Sequence, residues 1–235
     1  LKAESSMRKQ VAQITSHNLR GPAVAIANLV EMLDDQSLDE EMRVEVFDML
    51  KERVHSNIKI IDDLAEFYNK INESEVKLNE CHIASEFQQA IKECELIYDA
   101  TAKLTTELEV DSVLYPKAYF TSLVYNLVSN AFKYRKQKTP LQITVRTKAL
   151  LKQTQLDVAD NGQGLDLDKH GSKVFSYGKT FHGNQDARGL GLFMTRAQLR
   201  RYGHSITMKS APNEGSVFEI KFLKPVEQIE AQDEQ

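Results

Sequence analysis

Apolar residues recur at seven-residue intervals along the first third of the chain. One run comprises Ala12, Leu19, Ile26 and Leu33, complemented by Ala23 and Val30. A second comprises Phe47, Val54, Ile61 and Tyr68, complemented by Leu50, Leu64 and Ile71. A seven-residue repeat gives a helix one continuous apolar stripe, so the pattern predicts two long helices. The polar segment from Asp34 to Glu40 suits the connection between them.

Two such helices cannot bury both stripes and their flanking apolar residues alone. A four-helix bundle built from two hairpins would bury them, so we expect a homodimer through residues 1–72. Asn57 falls on the second stripe. A buried asparagine there would fix register and oligomeric state, whereas a partly exposed seam position would need no special role; both interpretations stay open.

From about Ser74 the pattern changes to a mixture of periods. It predicts helices at 84–100, 116–135 and 189–202, and strands at 105–110, 141–147, 153–159, 205–209 and 216–222. This order predicts an α+β domain with helices on one face of a sheet. We therefore divide the chain into a helical hairpin (1–72), a linker (73–80), an α+β domain (81–224) and a disordered tail rich in Glu and Gln (225–235).

The composition narrows the classes of partner. The chain has 235 residues and a formal net charge of −4, which argues against binding nucleic acid. No apolar run approaches the roughly 20 residues that span a bilayer, so we expect a cytoplasmic segment without membrane contact. Because the chain begins with Leu1 instead of methionine, we expect a longer parent protein that carries sensor or membrane-spanning regions. Cys81 and Cys94 lack metal or redox spacing and are predicted to be free thiols.

A histidine in the segment SHNLRGP is the first candidate for chemistry. His17 precedes the stripe residue Leu19 by two positions, about 200° around a helix, so it is predicted to face away from the bundle interior. Pro22 cannot donate to the carbonyl of Asn18 and tends to kink the helix there. A lone helix histidine is ordinarily a solvated side chain. The kink, Arg20 and the motifs described next favour instead an imidazole that accepts a phosphoryl group.

The second candidate is a pair of asparagines in NLVSN. Asn126 and Asn130 are one helical turn apart and share a face. A side-chain carbonyl is a suitable ligand for Mg²⁺, although solvated asparagines are commoner on helices. Lys133 lies on the same side as Asn130, within reach of a phosphate. Tyr134 could pack against an adenine or belong to the core.

The third candidate is the segment DNGQGL, which follows a predicted strand. The carboxylate of Asp160 can accept a hydrogen bond from the exocyclic amine of adenine, and Gly162 and Gly164 would let the backbone approach the ring and adopt positive φ. The plainer interpretation is a turn at the end of a strand, because Asp-Asn-Gly is a common turn sequence.

The fourth candidate is the segment RGLGL. Gly189 and Gly191 open a predicted helix, where backbone amides bind anions, and Arg188 beside them is our preferred cation. Seven of the ten glycines fall between Gly162 and Gly191. We expect that span to be a loosely packed lid over a ligand.

Taken in order, these segments resemble the catalytic core of a two-component sensor histidine kinase. That core is a dimerisation and phosphoacceptor hairpin followed by a Bergerat-fold ATP-binding domain. SHNLRGP is similar to the H-box, NLVSNAFKY to the N-box, DNGQGLD to the first glycine box, KVFSYGKTFHG to the phenylalanine box, and GLGLF to the second glycine box. The two segments HNLRGP and KTFHGNQDARGLGL are similar to those of soluble and membrane-bound kinases common in Bacteroidetes.

The resemblance implies ATP and Mg²⁺ as cofactors and the receiver domain of a response regulator as partner. It implies that His17 is phosphorylated, with Asn18 and Arg20 beside it, that Asn130 is the metal ligand and that Asp160 accepts the adenine amine. It also implies that Gly162, Gly164, Gly189 and Gly191 shape the pocket and its lid and that Phe175 packs the lid. The residues expected around the nucleotide besides these are Asn126, Lys133, Tyr134, Arg188 and Leu190.

Two positions depart from the family pattern. Asn18 stands where the family usually has an acidic residue, so we expect phosphoryl transfer to persist but to be slower or less pH-tolerant. Gly21 stands where many members carry Thr or Asn to position a water for dephosphorylating the partner, so the presence of phosphatase activity stays open.

The sequence thus predicts Mg-ATP-dependent phosphorylation of His17, transfer to a partner aspartate, and domain motion about residues 72–80. Two alternatives remain. An ATPase of the same superfamily would use an acidic base where this chain has Asn126. A catalytically weak dimeric ATP-binding scaffold is kept open by Asn18.

Overall fold

The computed structural model describes residues 21, 23–34, 38–72, 77–171, 174–176 and 191–224. For residues 56, 59, 60 and 62–72 the description is of the backbone alone. Contacts divide the chain into two units, Leu1–Ser74 and Glu75–Gln235.

The first unit contains a helical hairpin. Helix α1 covers residues 23–33 and α2 covers Glu40–Asn72. Asp39 caps α2, because its carboxylate accepts the backbone N–H of Met42 at 2.8 Å and satisfies one of the free donors of the first turn. The predicted helical hairpin is confirmed over the residues that the structure describes. None of the helices over the described residues is long and apolar enough to cross a membrane.

The apolar residues of the hairpin divide into two sets. Leu29 and Val46 are buried, although neither belongs to the predicted heptad runs. Phe47, Val54 and Ile61, which form one predicted run, are 49%, 38% and 49% exposed. These three side chains therefore lie largely outside the interface between the two helices of one chain. Asn57 is partly buried, and its Oδ1 atom has no hydrogen-bond partner among the residues the structure describes.

The second unit is an α+β domain. Its elements are β1 (Leu78–His82), α3 (Ile83–Tyr98), β2 (Ala102–Leu108), β3 (Ser112–Pro116), α4 (Lys117–Lys133), β4 (Leu141–Leu150), β5 (Gln153–Asp160), α5 (Leu167–His170), α6 (Gly191–Arg201), β6 (Ser205–Ala211) and β7 (Gly215–Leu223). Strands β2–β4–β5–β7–β6 form a mixed sheet in which only β2 and β4 are parallel. Strands β1 and β3 form a separate antiparallel pair.

The core lies on one face of the five-stranded sheet. In β4 the residues Leu141, Ile143, Val145 and Thr147 are buried, whereas the residues that alternate with them are less buried, with Gln142 and Arg146 exposed. This two-residue period leaves one face of the sheet apolar. Helices α3 and α4 contribute their apolar faces to the same core. The predicted α+β layer with helices on one face is confirmed.

Several predicted boundaries differ from those observed. The predicted helix at 84–100 ends at Tyr98, because Asp99 adopts a left-handed conformation with φ of 45°. The predicted strand at 105–110 occupies Ala102–Leu108 instead. Residues 78–80, predicted as linker, belong to β1. Strands β1 and β3 and the four-residue helix α5 were not predicted.

Both cysteine thiols are expected to be inert in the folded protein. Cys81 and Cys94 have no exposed surface, and burial raises the pKa of both thiols, that of Cys94 to about 11. Because the thiolate is the reactive form, neither group should react with a thiol reagent at pH 7. Colorimetric titration should count no reactive thiols in the native protein and two after denaturation. One fast-reacting native thiol would contradict the prediction.

A buried histidine should make the second unit sensitive to acid. Burial lowers the pKa of His204 to about 4, and its Nδ1 accepts the backbone N–H of Leu223 at 3.1 Å, so the native ring is neutral. In the unfolded chain this histidine becomes protonated below about pH 6.5, whereas in the folded chain it becomes protonated only below about pH 4. The free energy of unfolding should therefore fall by about 2 kcal/mol between pH 7 and pH 5 from this residue.

Urea unfolding at both pH values measures that loss. His204→Gln should be less stable at pH 7 but should lose about 2 kcal/mol less on acidification than the wild type does. His55→Gln, at an exposed position of α2, is the control and should reproduce the wild-type loss. An unchanged acid response in His204→Gln would show that other groups carry it.

Candidate functional site

Two side chains predicted to act together lie on one face of α4. Asn126 and Asn130 are separated by one turn and are both partly buried. The Asn126 amide nitrogen donates to the carbonyl of Gly191 at 3.4 Å and to the Thr195 hydroxyl at 3.2 Å. The first turn of α6, which includes Gly191, therefore lies against the face of α4 that carries the two asparagines.

The end of α4 is joined to the turn that follows β5. Tyr134 ends α4, and its carbonyl accepts the backbone N–H of Gln163 at 2.8 Å. A Cβ on Gly162 would lie 2.7 Å from that carbonyl and 2.7 Å from Asp160 Oδ1, so the turn can close only around a glycine. Tyr134 is partly buried, and burial raises the pKa of its phenol. Lys133, one residue earlier, is also partly buried.

Asp160 is the strongest electrostatic feature of this region. Its Oδ1 accepts the backbone N–H of Gly162 at 2.8 Å. Burial raises the pKa of the carboxyl group above its ordinary value, and hydrogen bonds from the backbone of Gly162 and Ser216, with the charge of Lys136, oppose that rise. A partly buried carboxylate with remaining acceptor capacity can recognise an amine that is shielded from water.

Gly164 makes a close contact within the domain that its motif did not predict. Its φ of 66° confirms the expected positive value. A Cβ there would lie 1.9 Å from the carbonyl oxygen of Ala211, so the turn between β6 and β7 can approach this closely only because the residue is glycine. Gly215 on that turn has φ of 88°, and a Cβ there would lie 2.0 Å from the carbonyl of Asp160. The two glycines let the turns approach each other and so position Asp160.

Sequence reasoning missed three polar residues that organise this region. The Ser210 hydroxyl accepts the backbone N–H of Leu165 at 2.8 Å and lies 2.6 Å from the carbonyl of Gly215, to which it donates. The hydroxyl oxygens of Ser210 and Ser216 lie 3.1 Å apart. Thr195, which accepts from Asn126, is fully buried. The signal that could have suggested Thr195 is its polarity on the apolar face of a predicted helix.

The remaining predicted residues divide between described and undescribed parts of the chain. Phe175 is described and packs against the core, with the Arg196 guanidinium 5.5 Å from its ring centroid. His17, Asn18, Arg20, Arg188, Gly189 and Leu190 lie outside the described residues. Within the described ranges, no three His, Cys, Asp or Glu side chains come together to hold a metal ion.

A family model matches the part of the chain that contains these residues. The model of the histidine kinase-, DNA gyrase B- and HSP90-like ATPase family matches residues 117–226, which include α4, Asp160 and α6. Over 228 residues the chain is 24% identical to the signal transduction histidine-protein kinase ArlS of Staphylococcus haemolyticus, covering 92% of this chain and 49% of that protein. It is 24% identical over 240 residues to the sensor protein kinase WalK of Staphylococcus aureus, covering 97% of this chain and 55% of the relative. The chain thus spans about half the length of these relatives.

Solved structures show the same fold. The histidine kinase AdeS of Acinetobacter baumannii superimposes with a TM-score of 0.60 at 18% identity, over 88% of this chain and 97% of that one. The histidine kinase ThkA, crystallised in complex with the response regulator protein TrrA, gives 0.65 at 16% identity, over 97% and 65% of the two chains. The helical hairpin followed by the α+β domain is therefore an arrangement found in solved histidine kinases.

Proposed function

We propose that this chain, a histidine kinase catalytic core whose residues 117–226 belong to the histidine kinase-, DNA gyrase B- and HSP90-like ATPase family, phosphorylates its own His17 from ATP. The phosphoryl group then passes to an aspartate on the receiver domain of a response regulator. The observation that carries the proposal is the partly buried Asp160 carboxylate at the end of β5, followed by a turn that is hydrogen-bonded to the end of α4, the helix that presents Asn126 and Asn130.

Nucleotide recognition is assigned to Asp160. Its carboxylate keeps acceptor capacity beyond the backbone bond from Gly162, and burial strengthens any hydrogen bond it makes. In this proposal the adenine amine donates to that carboxylate. Lys133 at the end of α4 and the N-terminus of α6 at Gly191 supply favourable positions for phosphate.

The donor set fits a magnesium ion that accompanies the nucleotide. Mg²⁺ retains several waters, takes phosphate oxygens and needs few protein ligands. The described residues offer amide side chains on α4 and no carboxylate cage, which fits such an ion and does not fit a resident all-protein site. We assign the ligand role to Asn130. When bound, the ion would neutralise charge on the phosphates.

The proposed transfer exchanges one bond to phosphorus for another. The lone pair of a neutral imidazole nitrogen of His17 attacks the γ-phosphorus, the bond to the β,γ-bridging oxygen breaks, and ADP leaves. The proton on the other ring nitrogen can be accepted in a hydrogen bond by the Asn18 carbonyl, which holds the ring without removing that proton. An ATPase would instead activate water at the position of Asn126, whose amide is not a base and is bonded to α6.

The exposed apolar run of the hairpin supports the homodimer. Phe47, Val54 and Ile61 repeat every seven residues and remain 38–49% exposed in the single chain. A second hairpin would cover them and complete a four-helix bundle. For the partner, the support is the crystallised complex of the related ThkA with the response regulator protein TrrA.

Incubation of the chain with γ-labelled ATP and Mg²⁺ separates the candidate activities. A kinase acquires protein-bound label that survives alkali and is lost in acid, as expected for a phosphoimidazole. Release of free labelled phosphate without labelled protein would indicate an ATPase. Nucleotide binding with neither product would indicate a binding scaffold. Addition of a purified receiver domain should then move the label to an aspartate.

A further inference from the structure

The buried face of α6 carries more polar residues than the buried face of a helix usually does. Its buried residues are Thr195, Gln198 and Leu199, and the helix packs against α4 and the sheet. A helix ordinarily turns apolar residues toward a core, because a buried hydroxyl costs free energy unless it is hydrogen-bonded. Thr195 has no exposed surface at all. Valine would fill the same space without a polar group, so the reason that threonine stands here lies in the contacts of its hydroxyl.

The hydroxyl is used to hold Asn126. The Asn126 amide nitrogen carries two protons and has two acceptors within reach, the Thr195 hydroxyl at 3.2 Å and the Gly191 carbonyl at 3.4 Å. Both acceptors belong to the first two turns of α6. The donor capacity of Asn126 is therefore committed to α6.

Gly191 makes this approach possible. A Cβ on Gly191 would lie 2.8 Å from Asn126 Oδ1 and 3.1 Å from Asn126 Cγ, closer than a side chain can come without moving the asparagine. The φ angle of Gly191 is not positive, so its backbone conformation alone does not demand glycine. The requirement comes from the distance to Asn126.

We infer that Thr195 is a positioning residue for nucleotide binding: with Gly191 it fixes Asn126 and so couples the start of α6 to the face of α4 that presents Asn130. This inference rests on the proposed function. It gives the two asparagines separate tasks, since Asn130 faces the nucleotide and its metal while Asn126 holds the helices together. A variant in which α6 no longer holds Asn126 should therefore bind nucleotide more weakly, although every group that contacts the nucleotide is still present.

Thr195→Val keeps the shape of the side chain and removes the acceptor. In the full chain, the dissociation constant of a fluorescent non-hydrolysable ATP analogue with Mg²⁺ should rise about tenfold, and Thr195→Ser should restore it to within about twofold of the wild type. The labelling rate at saturating ATP should change much less than the affinity. Thr207→Val, at an exposed position of β6, is the matched control. A Thr195→Val variant with a lower thermal midpoint but wild-type affinity would show a purely structural role and overturn the inference.

A double-mutant cycle tests the role of Gly191. Gly191→Ala should weaken analogue binding more than tenfold, because the new methyl group displaces Asn126. Asn126→Ser shortens the side chain, so the double variant should bind no more weakly than Asn126→Ser alone. Additive losses would overturn the assigned contact. Failure of the wild type to bind the analogue would overturn the proposed function itself, whereas a binding wild type with an unaffected Thr195→Val variant overturns this inference alone.

Discussion

Replacement of Asp160 by asparagine should weaken ATP binding at least about a hundredfold while leaving the fold intact. The amide oxygen can still accept the backbone N–H of Gly162, which Asp160 Oδ1 accepts now at 2.8 Å. The amide nitrogen, however, replaces a carboxylate oxygen with a donor that would face the adenine amine. A buried donor opposite a donor loses the bond and leaves both groups unpaired, which costs several kcal/mol.

The control for this change lies three residues earlier on the same strand. Asp157 lies on the opposite face of β5 because side chains alternate along a strand, and its carboxylate accepts the Gln155 amide at 2.9 and 3.1 Å. Asp157→Asn makes the same chemical change outside the site. Calorimetric titration with an ATP analogue should give wild-type affinity for Asp157→Asn and no measurable binding for Asp160→Asn. Similar affinities for the two variants would remove Asp160 from the site.

The pH dependence of binding provides a second readout of Asp160. Burial raises the pKa of this carboxyl group, so on acidification it becomes neutral at a higher pH than an ordinary aspartate. The neutral form loses acceptor capacity, and affinity for the analogue should therefore fall as the pH drops toward that raised pKa. Asp157→Asn, which keeps Asp160 intact, should show the same fall in affinity on acidification.

The sequence predicts elements best where a period persists over many residues. Helix α4 was expected at 116–135 and is observed at Lys117–Lys133, because its apolar spacing is long and Pro116 marks its start. Strand β1 has one buried residue in five, and β3 ends in a proline, so neither shows a readable alternation. Both strands exist because each pairs with the other across about thirty residues of chain.

The residues of the site divide in the same way: some are recognisable from the local sequence, and others depend on contacts between distant parts of the chain. The residues Asn126, Asp160 and Gly191 could be named from short motifs whose chemistry is recognisable. Their supports could not, because the bond from Asn126 to Thr195 spans 69 residues and that from Leu165 to Ser210 spans 45. Gly164 illustrates the consequence: its positive φ was predictable, but its contact with Ala211 depends on how two distant turns pack.

Replacement of His17 by glutamine should abolish acid-labile labelling by ATP. The sequence pattern predicts an outward-facing position for His17 on its helix, where glutamine is well tolerated. Glutamine has no nitrogen lone pair that can attack phosphorus, because the amide nitrogen is delocalised into its carbonyl. Dimer formation and affinity for an ATP analogue should stay within about twofold of the wild type, which separates loss of the acceptor from loss of the fold.

His55→Gln is the matched control for that experiment, since it removes another histidine from the helical hairpin. His55 is exposed on α2, with its Nδ1 2.9 Å from the Lys51 carbonyl oxygen. Its loss should leave labelling unchanged. Autoradiography after alkaline gel electrophoresis, with an acid-treated duplicate, measures both variants. Because transfer requires a nucleophilic imidazole at one defined position, label that persists in His17→Gln and disappears in His55→Gln would place the acceptor on the second helix and refute the assignment.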